Sequence, residues 1–246
     1  MTVGLYLEDS YLRRFDGTVI GHGDGGVLLD RTVFYPSGGG QPTDRGELRD
    51  DTGQRWTVEA VEKSPGGILH RISGGGLPAV GTTLHGEIDW DLRYRHMRYH
   101  TALHLLSGVV YHRFGSGITG GQIYADRART DFSLPEFSRD LASTLLDELN
   151  RKARESIPVH VRWIPRSALL ADPSLVRVAK ELLPDVDPVR LIEIGEFDVQ
   201  ADGGTHVRST SELGSARLEK LENKGARNKR LYLSLDESGS SGAGRA

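Results

Sequence analysis

The sequence predicts an α+β fold in which a small N-terminal β-barrel precedes an α/β two-layer domain, and three observations predict it. Up to about residue 88, short strand-like runs alternate with glycine-rich turns and no stretch reads as a helix. At Asp89 this pattern gives way to one long helical run. Beyond it, helices mix with non-adjacent strands. The expected organisation is therefore a barrel domain over 1–88, a second domain over 89–236, and a Gly/Ser-rich tail over 237–246 that is expected to be disordered.

Barrel strands are expected at "TVGLYLE", "GTVIGHG", "GVLLD", "TVFYP", "QRWTVEAVE", "GILHRIS" and "TTLHGEID", short runs of β-branched, aromatic and aliphatic residues separated by turn formers. From Trp90 to about Phe114 the sequence reads as a helix, with Leu92, Met97, Leu103, Leu106 and Val110 among its apolar positions and Gly115 to end it. A second helix is expected over Ser138 to Glu155, where Leu141, Leu145, Leu146 and Leu149 recur at helical spacing before Pro158. Strands are expected in "GGQIYADRARTDFSL", "IPVHVRWI", "VRLIEIG", "GTHVRST" and "RLYLSL". Together these give a sheet covered by helices.

Composition narrows the chemistry. The chain has 246 residues, 37% of them hydrophobic, which suffices for at least one packed core. It has no cysteine, which excludes disulfides and thiolate chemistry and leaves any metal to nitrogen and oxygen donors. No apolar run is long enough for a bilayer and no secretory leader is visible at "MTVGLYLEDS", so a cytoplasmic protein without membrane contact is expected. A net charge of -3 gives no general attraction to nucleic acid. A polyanion would need a local patch, and two segments are candidates, although each taken alone reads better as a solvated face: "RYRHMR" with Arg93, Arg95 and Arg98, and "RLEKLENKGARNKR" with Arg217, Lys220, Lys224, Arg227, Lys229 and Arg230.

Two segments carry ligand-capable side chains at matched spacing. "YHTALHLL" sets His100 and His104 four apart on the first helix, roughly 40° apart around the axis and about 6 Å along it, so both reach one ion. The helical protease motif needs glutamate where this chain has Thr101, which argues sharply against that reading. "DGGTHV" repeats the spacing with Asp202 and His206 around two glycines. Two such pairs make the donor set of a zinc or related divalent site, although each pair alone fits a helix face or a glycine turn. A third segment, "FYPSGGGQPTDRG", places Gly38, Gly39 and Gly40 before Gln41. It lacks a P-loop lysine and dinucleotide spacing, so a hairpin turn is the better reading than a phosphate cradle and no ATP site is expected; such a loop would also let a ligand or another chain approach its backbone and leave Gln41 free to hydrogen-bond.

These three segments, in this order and with the closing "KLENKGARNKRLYL", resemble the AlaX family, freestanding relatives of the editing domain of alanyl-tRNA synthetase. The likeness runs from the N-terminus to about residue 235. Threonyl-tRNA synthetase editing domains share the paired-ligand motifs, but the "GGGQ" loop and "GGTHV" favour the AlaX side. The resemblance implies a barrel joined to an editing domain, hydrolysis in trans of the ester of misacylated tRNA, typically serine on alanine tRNA, and Zn(2+) held by His100, His104, Asp202 and His206. Asp202 stands where the family usually has cysteine. A hard oxygen there would hold zinc less tightly and leave it more Lewis acidic, or Asp202 would act as a base for water, or the site would be metal-free. Thr101 is expected to meet the substrate hydroxyl, and Gln41 the terminal adenosine or amino acid. Phosphates would fall to Gly38, Gly39, Gly40, Arg98 and the basic segments, and His96 would support the ligands or face tRNA. Alternatives are a deacylase for tRNA charged with threonine or an analogue such as fluorothreonine, and an inactive tRNA-binding module.

Overall fold

The computed structural model of the chain describes residues 1–134, 136–172, 175, 185–225 and 228–236. The tail expected over 237–246 and Arg227 of the basic segment lie outside the described residues. The chain forms two compact units, Met1–His96 and Met97–Ala246. In the first are β1 (Val3–Gly4), β2 (Arg14–Gly23), β3 (Gly26–Leu29), β4 (Arg31–Thr32), β5 (Gly46–Arg49), β6 (Arg55–Ser64), β7 (Gly67–Ser73) and β8 (Thr83–Ile88). Helix α1 (Trp90–Phe114) carries the chain into the second unit. There follow β9 (Ile118–Ile123), β10 (Ala128–Phe132), α2 (Arg139–Arg154), β11 (Val159–Ile164), α3 (Arg166–Ala171), β12 (Val189–Ile194), β13 (Asp198–Ala201), β14 (Ala216–Asn223) and β15 (Lys229–Leu235).

The first unit is a closed antiparallel barrel in the order β2-β3-β7-β6-β5-β8. Alternation along β2 turns Phe15 and Val19 inward, where they join Val27, Leu29, Phe34, Leu48, Val58 and Leu84. Phe15 lies directly opposite Gly86, and its ring fills the space a side chain there would need. Strand β5 was not expected, because "GELR" has a single apolar residue. Leu48 alone points inward, and Gly46 fits because any Cβ would strike the Glu87 carbonyl. "TVFYP" is a strand only at Thr32: past it the Tyr35 amide donates to Asp44 Oδ2 at 2.7 Å and leaves the ladder. In "TVGLYLE" only Val3 and Gly4 pair, and Leu5–Leu7 wind into a 3₁₀ turn.

Helix α1 is capped at both ends. Asp89 Oδ1 accepts from the Leu92 amide at 3.1 Å, and Gly115, at φ +64°, closes the C-terminus with its amide on the Tyr111 carbonyl at 2.8 Å. Every residue from His96 to Val110 is buried. Helix α2, capped by Ser138, is amphipathic and buries Ala142, Leu145, Leu146 and Leu149.

Among the described residues the second unit has two antiparallel sheets, β14-β15-β10-β9 and β11-β12-β13. The segment read as a basic surface is thus partly strand β14. "GTHVRST" is not a strand: it runs as a loop to a 3₁₀ turn, Thr210–Leu213, whose start is held by a Ser209–Glu212 capping box. The third strand of that sheet is β13, just before it. No helix among the described residues is long and apolar enough to cross a membrane.

Candidate metal centre

His100 and His104 project from one face of α1, and Asp202 and His206 come from the loop after β13. One ligand atom from each lies within 4.8 Å of all the others. His100 Nε2 is 3.5 Å from Asp202 Oδ1, and His206 Nε2 is 3.2 Å from Asp202 Oδ2. The imidazole centroids are 4.4 to 5.1 Å apart. Four donors converge, as the matched spacing predicts.

The loop geometry follows from its residues. Asp202 Oδ2 also accepts from the Gly204 amide, which closes a tight turn over two residues. A Cβ on Gly204 would run into the His100 ring and the Asp202 carboxylate. Gly203 has open space at the same position, so only the second glycine is sterically required. Arg190 of β12, which is buried, donates from Nη1 to the carbonyls of Asp202 at 3.0 Å and Gly204 at 2.9 Å, gripping the loop from beneath. Thr101 Oγ1 lies 3.0 Å from His206 Nδ1 and accepts from the Val207 amide at 3.2 Å. With His206 Nε2 given to a metal, Nδ1 would carry the proton and donate to Thr101, which would fix the ring's tautomer and angle.

Electrostatics prepare the same donor set. Burial holds His104 down at about 4 and lowers His206 well below the usual imidazole range, against the pull of Asp202. For Asp202 burial acts upward, but it is outweighed by His100, by the bond from His206 and by the other imidazoles, so the carboxyl is held well below the usual range. His104 and His206 are thereby held toward the neutral imidazole and Asp202 toward the carboxylate, the forms that bind a metal. His104 Nδ1 is buried with no hydrogen-bond partner among the described residues. That donor set fits a divalent ion of the zinc type.

Other expectations are corrected. Arg93, Arg95 and Arg98 do not form a phosphate patch. Arg93 is fully buried against Asp44, and Arg98 gives its guanidinium to the carbonyls of Glu212, Leu213 and Asp236. His96, 2% exposed, is outside the cluster and does not face solvent. In the C-terminal hairpin Lys220 and Lys224 pair with Glu222, Arg230 pairs with Asp131, and Lys229 is buried on Asn223 and Gly225. Gly38 and Gln41 exchange backbone bonds of 3.1 and 2.9 Å around Gly39 and Gly40, at φ +57° and +82°, a two-residue turn that leaves Gln41 2% exposed instead of free. Thr101 is wholly buried, so its hydroxyl serves His206 before any substrate. Arg190 was missed; its signal was a charged residue at an alternating position of the apolar run "VRLIEI".

Sequence comparison places this geometry among known proteins. A family model described as "Threonyl and Alanyl tRNA synthetase second additional domain" matches residues 189–232, which carry Arg190, Asp202 and His206. Another, "tRNA synthetases class II (A)", matches residues 11–92. The chain is 40% identical over 236 residues to the alanyl-tRNA editing protein AlaX-M of Saccharolobus solfataricus, covering 96% of this chain and 99% of that protein. The AlaX-M protein of Methanosarcina barkeri is 41% identical over 242 residues, with the same coverage. The alanine-tRNA ligase of Pyrococcus furiosus is 36% identical over 222 residues, 89% of this chain but 24% of the ligase.

Proposed function

Because the chain belongs to the AlaX family of alanyl-tRNA editing proteins, we propose that it is a cytoplasmic aminoacyl-tRNA deacylase that hydrolyses misacylated tRNA in trans, with serine on alanine tRNA as its substrate. The observation that carries this reading is the convergence of His100, His104, Asp202 and His206 within 4.8 Å. A site for a small apolar side chain discriminates against an added hydroxyl by only about a hundredfold, so a separate hydrolytic site has work to do.

The four side chains would hold zinc, which when bound supplies Lewis-acid polarisation at the ester and its attacking water. The protein's own residues supply position. Arg190 fixes the loop that presents Asp202, and Thr101 fixes the His206 ring, so each ligand is set before substrate arrives. Asp202, where cysteine is usual, keeps one oxygen on the Gly204 amide and leaves the other toward His100. An aminoacyl ester is labile enough that orientation and polarisation suffice.

The test is a panel of tRNAs charged with serine, threonine or alanine, incubated with zinc-replete and chelated protein and with Thr101→Val. Seryl ester is expected to be released on the order of a hundredfold faster than alanyl ester. Chelation should abolish release, and Thr101→Val should weaken zinc binding by about 10–100-fold. Faster release of threonine than serine would move the substrate, and no release from any charged tRNA would end the deacylase reading.

A further inference from the structure

Directly opposed residues of an antiparallel sheet share one face. In the sheet β11-β12-β13, Trp163 lies opposite Arg190. The β12-β13 register, with Leu191 opposite Ala201, brings Asp202 opposite Arg190 from the other side, and the Asp202 amide donates to the Arg190 carbonyl at 3.2 Å. Trp163, Arg190 and Asp202 therefore form one row on one face, with the Trp163 backbone two strand spacings, about 10 Å, from that of Asp202. The opposite face is occupied by the apolar cluster of Ile164, Val189 and Leu191 with Leu169 of α3.

β11 is an edge strand of the sheet, and Trp163 is 37% exposed beside Val161, 38% exposed on the same face. A partly exposed indole in line with a ligand-bearing loop is a surface that a planar partner fits. Of the four clustered residues Asp202 alone is only part-buried, with 15% of its side chain exposed against 6% for His100 and 3% for His206.

We propose that Trp163 is a stacking platform for an unpaired base at the 3′ end of tRNA, an assignment that rests on the deacylase reading. An ester held at the four ligands sits on the terminal ribose. The unpaired bases next to it are then the first groups to meet the surface beyond Asp202. Stacking on an indole accepts any base, so it would hold the acceptor end without reading its sequence.

The test compares an uncharged RNA minihelix carrying an unpaired 3′ tail with the same minihelix cut flush, each titrated against wild type, Trp163→Ala and Trp163→Phe by fluorescence anisotropy. Trp163→Ala should bind the tailed RNA on the order of tenfold more weakly and the flush RNA as wild type does, whereas Trp163→Phe should stay within about threefold on both. Equal weakening on both RNAs, or none on either, would overturn the assignment. So would sedimentation showing that Trp163→Ala separates a dimer, which would make β11 a contact between copies of the chain. If the wild type deacylates charged tRNA while the tail makes no difference to Trp163→Ala, this assignment fails alone. If no charged tRNA is deacylated, the deacylase reading fails with it.

Discussion

Asp202 divides its carboxylate between two tasks: Oδ2 takes the Gly204 amide and faces His206, while Oδ1 faces His100. A thiolate has one sulfur for both, but it is a softer donor to zinc. Structural zinc releases about 10–16 kcal/mol over four ligands, so one ligand is worth roughly 3 kcal/mol, or about 100-fold in affinity. Asp202→Asn is therefore expected to weaken zinc by about that factor, and Asp202→Cys to bind at least as tightly as wild type, measured by competition with a chromophoric chelator. Equal affinity of wild type and Asp202→Asn would remove the carboxylate from the ligand set. All four converging side chains were legible in the sequence, because two pairs at a spacing of four need no knowledge of distant contacts. Arg190 and the part played by Thr101 were not. Each acts through a partner far along the chain, Thr101 on His206 and Arg190 on the carbonyls of the DGGTH loop.

At the scale of elements, the same limit turned an apparent phosphate patch into an internal bracket. Arg93 donates from Nε to both oxygens of Asp44 at 3.0 and 2.9 Å and from its terminal nitrogens to the carbonyls of Ser10 and Val33 at 2.9 and 2.6 Å. Asp44 in turn accepts from the Tyr35 amide, so this one pair ties the start of α1 to the barrel loop that carries "GGGQ". Charge is visible in a sequence; its distant partner is not. Helices α1 and α2 were legible from caps and spacing, and most barrel strands from alternation. β5, β13, α3 and β14 were not: four to six residues are too few to show a period, and the charges of the longer β14 read as a basic surface. Arg93→Met takes the cation from a buried carboxylate and one donor from each of two carbonyls, and is expected to cost about 3–5 kcal/mol in urea unfolding. The double variant Arg93→Met, Asp44→Leu should recover part of that loss. A cost below about 1 kcal/mol for Arg93→Met would show that the pair does not hold these elements together.

For the whole molecule, buried neutral imidazoles make stability depend on pH. His70 sits in the barrel core with Nε2 2.8 Å from Thr32 Oγ1, edge-on to the Phe34 ring, and burial pushes its pKa down to about 4. Burial lowers His96 to about 4 as well, with Asp44 opposing. In the unfolded chain both titrate near 6.5. Between about 4 and 6.5 the unfolded state therefore binds more protons, so stability is full above pH 6.5 and falls as the pH drops toward 4. Each group contributes roughly 3 kcal/mol over that window, and the two together give a slope of at most about 2.7 kcal/mol per pH unit. His104 and His206, also lowered by burial, act in the same direction, so the wild-type curve alone does not isolate the barrel. The difference between wild type and His70→Gln does, when unfolding is followed by the fluorescence of Trp56 and Trp90 in the first unit. The variant is expected to be less stable than wild type at pH 7, where it has lost a packed ring, and to lose less on acidification by roughly 3 kcal/mol between pH 6.5 and 4. Parallel curves for the two proteins would mean that His70 is protonated in the folded barrel, and that Thr32 and the surrounding core do not keep it neutral.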